Sequence, residues 1–288
     1  MTNTKYDSVS LMKVSDFIGL LYGDSGARDW SEMRRFANLT ALRNHPDHGY
    51  FVSNFWRGPL LYSLVRKLHP KIIVELGTGR GYGAVAMAAA VRDEAYEAQI
   101  HTIDLTPETS EFEWIYADEN GIETSRSTSL CSFWGKELPA ELTNRISFHC
   151  ADTATVHSIL EQESLEADLV FIDGDHSYFG VALDFYSSHS RSAEGAVFVF
   201  DDYSDRSGYG VKRLIDGQLS DLYEIQPLDM ESDSAYDVEM DHRMAVVNPR
   251  GHSVDVSFPK PGSLRFAMLD LRRNIRSILV NIVRRVRS

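Results

Sequence analysis

From Pro70 onward, short apolar runs alternate with stretches rich in helix formers, and few architectures accommodate that rhythm. Strand and helix in alternation build βαβ units, whose strands lie parallel in one sheet. The pattern predicts strands over 71–76, 99–104, 146–150, 167–172 and 196–200, with two weaker ones over 222–226 and 244–247. Several of these runs, IIVEL, DLVFI and AVFVF among them, are apolar throughout. A strand of that kind needs cover on both faces. The expected fold is therefore α/β: a doubly wound, mostly parallel sheet of seven strands. GPLLYSLVRKLHP reads as a helix stopped by Pro70, and GYGAVAMAAAVRDEA as a helix after the first strand.

A chain of 288 residues, 43% hydrophobic, buries about three quarters of its unfolded surface, so it needs neither disulfides nor a structural metal to fold. Its two cysteines, Cys131 and Cys150, form no CxxC, which excludes zinc ribbons and iron–sulfur sites and points to a reducing compartment. Near the N-terminus the longest apolar run is Phe17 to Tyr22, too short for a signal sequence or a span. A cytoplasmic location is expected.

The net charge of −13 argues against nucleic acid as a partner, but it averages two unlike parts. Of 29 basic and 42 acidic residues, positions 264–288 hold seven arginines and one aspartate, leaving 22 basic and 41 acidic for the rest. In that tail Met268, Leu271, Ile275, Ile278, Leu279, Ile282 and Val286 share one helical stripe. Such a helix either packs on the acidic body or another subunit, as in a homo-oligomer, or lies peripherally on an anionic membrane. The predicted organisation is an N-terminal helical extension or lid (1–58), a ligand-binding domain (59–250) and a basic amphipathic tail (251–288). Within the domain, 105–145 is a lid-like insertion whose aromatics, Trp114, Tyr116, Phe133 and Trp134 among them, either close over an acceptor or, as is commoner for such residues, form local core.

IIVELGTGRGYG puts Glu75, Gly77, Thr78, Gly79, Gly81 and Gly83 at a strand-to-helix junction, where glycines let a ligand approach the backbone. The same segment satisfies GxGxxA at Gly79, Gly81 and Ala84, which also suits a nicotinamide dinucleotide. Glu75 turns the choice: an acid there repels a pyrophosphate but accepts a hydrogen bond from a ligand ammonium group, favouring an aminoacyl ligand. Asp104, closing the second strand, is placed for both hydroxyls of a ribose, and Asp152, after the third, for an adenine.

This constellation resembles the class I S-adenosylmethionine (SAM)-dependent methyltransferases over roughly residues 59–250, with ELGTGRGYG like their first motif and TIDL like their second. The resemblance implies a Rossmann-like fold and a cofactor site made by Glu75, Gly77, Thr78, Gly79, Gly81, Asp104 and Asp152.

The fourth and fifth strands run into FIDGDHSYFG and FVFDDYSD. The carboxyl ends of parallel strands open into one crevice, so Asp173 and His176 can meet Asp201 and Asp202. Carboxylates gathered there repel one another unless a cation sits among them, and a hard divalent ion such as magnesium answers that need. Asp175 and Asp184 read as turn or capping residues. At this point the likeness narrows to metal-dependent sugar O-methyltransferases of the macrocin and mycinamicin type. It implies Asp173, Asp201 and Asp202 as metal ligands, His176 as general base, SAM and Mg2+ as cofactors, and a small-molecule hydroxyl acceptor, a sugar or glycoside. Cephalosporin-hydroxylase-like proteins are similar in the same motifs, so an oxygenase stands as the alternative, and a non-catalytic scaffold as a third reading.

Overall fold

The structure, a computed structural model, describes residues 10–23, 28–47, 49–118, 120–231, 242–250 and 258–287, the side chains of 281–287 excepted. Twelve strands are found among them. They are β1 (Met12–Lys13), β2 (Leu42–His45), β3 (Gly49–Val52), β4 (Ile72–Leu76), β5 (Gln99–Asp104), β6 (Phe112–Ala117), β7 (Glu123–Thr128), β8 (Ile146–Cys150), β9 (Ala167–Ile172), β10 (Ser192–Phe200), β11 (Tyr223–Asp229) and β12 (Arg243–Pro249).

Eight of them form one sheet in the order β1-β11-β12-β10-β9-β4-β5-β8. All seven predicted strands are present in it. The eighth, β1, comes from the N-terminal extension and pairs parallel with β11. Two residues with one apolar side chain leave no periodic signal, so the expected count of seven becomes eight. Only β12 runs antiparallel to its neighbours, and the sheet is mostly parallel as expected.

Side chains on successive positions of a strand point to opposite faces, and the two faces carry separate cores. Ile73 on β4 joins the helices Arg57–Leu68 and Tyr82–Asp93 on one side. Val74 and Leu76 join the helices Val156–Gln162 and Tyr178–His189 on the other. Small side chains let Tyr82–Asp93 lie close to the sheet, and Ala84 to Val91 are fully buried. The helix Arg57–Leu68 ends on His69, left-handed at φ 48°, just before Pro70, which disfavours helical geometry in the residue ahead of it.

From β4 the chain winds through β5 to β8 on one side, then returns to build β9 and β10 on the other. Strand order thus reverses between β4 and β9. In open α/β sheets the ligand crevice lies at that point, beyond the carboxyl ends of the strands.

The 105–145 segment holds the antiparallel hairpin β6–β7 and the helix Leu130–Glu137, and two of its aromatics form local core, the commoner of the two readings. Trp114 and Phe133 are fully buried and stacked 4.0 Å apart. The Trp114 indole donates to the Leu39 carbonyl at 2.8 Å. Their burial against the N-terminal helix Ser31–Thr40 fixes the insertion as part of the body.

The C-terminal helix Leu264–Arg287 lies against Tyr178–His189, with Phe266 and Leu269 entering the second core. Leu264, Met268, Leu271, Ile275, Ile278 and Leu279 face outward and are exposed; Ile282 and Val286 fall among the side chains outside the description. Among the described residues no helix is long and apolar enough to cross a membrane.

Candidate active site

One crevice of about 720 Å³ lies over the switch point, lined from the glycine turn, the ends of β4, β5, β9 and β10, the hairpin β2–β3 and the C-terminal helix. The glycine turn shapes its floor. A Cβ on Gly77, at φ 97°, would lie 2.1 Å from the Asp173 carbonyl oxygen, so this residue lets β4 and β9 close on one another at their tips. A Cβ on Gly83 would lie 2.2 Å from Glu75 Oε1, so the first turn of the next helix stays open for that carboxylate.

Glu75 is almost fully buried. Thr102 donates to it at 2.6 Å, and Thr78 lies 2.6 Å from the Thr102 hydroxyl. Burial pushes the Glu75 carboxyl up to about 8, against the pull of the Thr102 hydrogen bond. Asp104, closing β5, accepts from the amides of Gly79 at 3.0 Å and Thr106 at 2.8 Å. It stands beside the turn with its carboxylate in the crevice wall. On one side Gly81 is covered by Trp134, whose ring would meet a Cβ at 2.0 Å.

Asp152 also lines the crevice, but it is engaged. It accepts from the Ala154 amide at 3.0 Å and takes Arg273 of the C-terminal helix in a bidentate pair at 2.9 and 2.7 Å. Burial opposes its charge, yet the Arg273 bonds hold it below the ordinary carboxylate range. Asn274 and Ser277 of the same helix line the crevice too, so the basic tail forms one of its walls.

The acids at the tips of β9 and β10 converge. His176 Nδ1 lies 2.9 Å from Asp202 Oδ2, and Asp173, His176 and Asp202 bring ligand atoms within 4.8 Å of one another. Asp202 sits at φ 54°, a left-handed conformation that an aspartate tolerates. Asp201, directly before it, is buried and accepts from Asn54 at 3.3 Å.

Between Asp173 and Asp201 stands Arg57. Its Nη1 pairs with Asp173 at 2.9 Å and its Nη2 with Asp201. Burial works against the guanidinium, but Asp173 and Asp201 raise its affinity for its proton above the usual value. Burial raises Asp173 to about 7, with Arg57 pulling the other way. Although burial lowers the His176 value, the hydrogen bond and charge of Asp202 raise it to about 9. Burial likewise disfavours the Asp202 charge, but His176 holds that carboxyl below its ordinary range. The His176 ring stacks on Tyr209 at 5.3 Å and 8°, which fixes its plane.

Arg57 was missed from the sequence because it opens a helix whose other residues read as ordinary amphipathic pattern; an arginine beside Gly58–Pro59 gives no signal of its own. Asp175 caps a turn as expected, accepting from the Ser177 amide at 2.8 Å. Asp184 departs from that expectation. It lies within the helix Tyr178–His189, fully buried, where among the described residues only Thr153 donates to its carboxylate, at 2.7 Å.

Residues 74–203 match the family model of a methyltransferase domain. Among curated proteins, none has a matching sequence. Solved structures do match. An O-methyltransferase of tomaymycin synthesis from Streptomyces achromogenes, solved with SAM, is 17% identical, with TM-score 0.51, covering 83% of this chain and 96% of that one. An O-methyltransferase from Bacillus cereus, solved with S-adenosylhomocysteine, is 15% identical, with TM-score 0.49, covering 82% and 97%. A TDP-rhamnose 3'-O-methyltransferase of calicheamicin biosynthesis is 16% identical, with TM-score 0.47, covering 83% and 94%. The first of these likenesses establishes the fold as α/β and Rossmann-like, the fold of a methyltransferase.

Proposed function

We propose that this protein transfers the methyl group of SAM to a hydroxyl of a small molecule, a sugar or glycoside, with a divalent cation, magnesium, in its acid cluster. One observation carries the reading: the glycine turn with Glu75 and Asp104, and the cluster of Asp173, Asp201, Asp202 and His176, open into a single crevice. A donor and an acceptor bound there are neighbours, and holding two reactants in line removes much of the entropic barrier.

The first half of the crevice suits the donor. Glu75 faces an ammonium group at the glycine turn, Thr78 holds the hydroxyl chain to Glu75, and Asp104 takes the ribose hydroxyls. Asp152 takes the adenine amino group beside its Arg273 partner.

The second half suits a cation. Three carboxylates share the space with the Arg57 guanidinium and the His176 imidazolium, which leaves one negative charge unbalanced, and a cluster of that kind calls for further positive charge. Asp173 and Asp202 face the shared centre with His176, while Asp201, which the reading also makes a ligand, is bonded to Arg57 and Asn54. A hard divalent ion held there supplies Lewis-acid stabilisation to an acceptor oxygen that has lost its proton. At neutral pH His176 is an imidazolium, because Asp202 holds its proton. Neutralising Asp202 brings that value back towards neutrality, and the imidazole then accepts the acceptor's proton in a plane set by Tyr209. Base catalysis of this kind contributes about 10²–10⁴-fold.

Calorimetry with S-adenosylhomocysteine tests the donor half: wild type binds and Asp104→Ala does not. Transfer of labelled methyl from SAM to a panel of deoxysugar glycosides and saccharides, with and without Mg2+, tests the rest. Absence of binding sinks the cofactor assignment, and turnover indifferent to chelation sinks the metal. Oxygen consumption without methyl transfer would put the hydroxylase alternative in its place.

A further inference from the structure

Arg43 lines the crevice, and neither the donor site nor the acid cluster uses its charge. It stands on β2 of the hairpin β2–β3 and faces the crevice with Ser53 of the same hairpin. Its Nη1 donates to the carbonyl oxygen of Leu42, at 3.0 Å. That same oxygen accepts from Nη1 of Arg80, at 2.9 Å, so two guanidinium groups converge on one carbonyl. Arg80 is a clamp: its remaining bonds go to the carbonyls of Ile115 and Glu113, and its plane lies near Phe112 and Trp114. Arg57, the third cation nearby, is committed to Asp173 and Asp201. Among the described residues, no carboxylate pairs with Arg43.

A guanidinium in this position is costly to keep. Burial, and then the charges of Arg80 and Arg57, push the Arg43 value down to about 10, with Asp173 as the acid that pulls it back. Arg43 thus faces the crevice with no carboxylate bonded to it among the described residues, and it presents a planar donor fork suited to two oxygens of one carboxylate or phosphate. Arg43 and Asp173 line the same crevice, and Asp173 is the carboxylate whose charge acts on Arg43, so the guanidinium is set towards the acid cluster, where the acceptor is assigned.

We propose that Arg43 binds an oxyanion on the acceptor, so that the substrate is an acidic saccharide or a phosphate-bearing one rather than a neutral glycoside. The proposal rests on the methyl-transfer reading for the existence of an acceptor, and the measurement separates the two. Inorganic phosphate, the simplest such oxyanion, is titrated in metal-free buffer into the full chain, with and without S-adenosylhomocysteine, for wild type, Arg43→Gln and Arg43→Lys. S-adenosylhomocysteine and 5′-methylthioadenosine, which lacks the aminoacyl carboxylate, are titrated separately. Loss of a charge-assisted bond weakens binding about tenfold or more. The expected result is that phosphate binding falls at least tenfold in Arg43→Gln and is partly kept in Arg43→Lys, while both adenosine ligands bind all three proteins alike. Equal phosphate binding by wild type and Arg43→Gln overturns the proposal. So does a tenfold loss of S-adenosylhomocysteine with 5′-methylthioadenosine unchanged, which would assign Arg43 to the donor's own carboxylate. Failure of wild type to bind either adenosine ligand would instead indict the methyl-transfer reading, and the phosphate series on the unliganded chain would still decide Arg43. Circular dichroism melts of the two variants confirm that each is folded.

Discussion

Asp184 gives the cleanest measurable consequence of how the floor beneath this crevice is built. Its carboxyl is fully buried, one oxygen takes the Thr153 hydroxyl at 2.7 Å, and the other accepts no hydrogen bond among the described residues. Burial raises it from 3.8 to about 7. The folded state therefore binds this proton more tightly than the unfolded chain does. The stability so gained is complete below pH 3.8 and is lost as pH rises through about 7. Between pH 5 and the folded value lie roughly two pH units, each worth about 1.4 kcal/mol, so raising the pH from 5 to 8 costs wild type about 3 kcal/mol at this one residue. Asp184→Asn has nothing to ionise. Its side-chain oxygen still accepts from Thr153, so its melting temperature should fall less over that pH interval. At about 2–4 °C per kcal/mol for chains of this size, the gap between the two proteins should widen by about 6–12 °C, read by differential scanning calorimetry at both pH values. Parallel pH profiles for wild type and Asp184→Asn would show that Asp184 is ionised or solvated in the fold, and the reasoning from burial would fail.

Three further outcomes follow from the same geometry. Arg57→Ala leaves Asp173 and Asp201 buried without their cation, a loss of about 3–5 kcal/mol. Its melting temperature should drop accordingly and recover in millimolar Mg2+ by more than wild type gains; an equal or absent response to the ion would refute the charge argument. Because Glu75 is uncharged below about 8, wild-type affinity for S-adenosylhomocysteine should rise between pH 6 and pH 8, whereas Glu75→Gln should give a flat profile by calorimetry. Arg273→Ala removes the bidentate tie of the C-terminal helix to Asp152, a charge-assisted contact worth about 1.5–3 kcal/mol. Amide exchange across residues 264–280 should accelerate about tenfold or more, and unchanged protection would mean that Phe266 and Leu269 alone hold the helix.

The sheet was legible because each central strand announces itself through uniform apolarity: IIVEL, ADLVFI and AVFVF need cover on both faces, and one parallel arrangement supplies it. The acids of the site were legible for a related reason. A charged residue at or just past the end of such a run, Glu75, Asp104, Asp173 or Asp201, is carried to the carboxyl tip of its strand, where the crevice opens. What stayed hidden depends on contacts between segments far apart in sequence. Nothing local marks Trp114 as a residue packed on Phe133 and bonded to Leu39 rather than a lid residue. The stripe of the C-terminal helix was readable, but not the fact that Arg273 turns inward to Asp152 while the apolar side faces out.

The same distinction explains how the crevice is balanced. Its negative charge comes from the tips of β4, β5, β9 and β10, fixed by sheet topology. Beside the His176 imidazolium, much of its positive charge comes from elements outside the sheet, among them Arg43 on the β2–β3 hairpin, Arg57 at the start of a helix and Arg273 on the C-terminal helix. Asn54, which donates to Asp201, belongs to the same outer layer. The sheet tips alone would hold acids that repel one another in a space of low dielectric. The outer elements offset that repulsion at two points, Arg57 within the acid cluster and Arg273 at Asp152. At Arg43 the charge of the outer layer is left over, so a molecule able to complete the balance there has to bring an anion of its own.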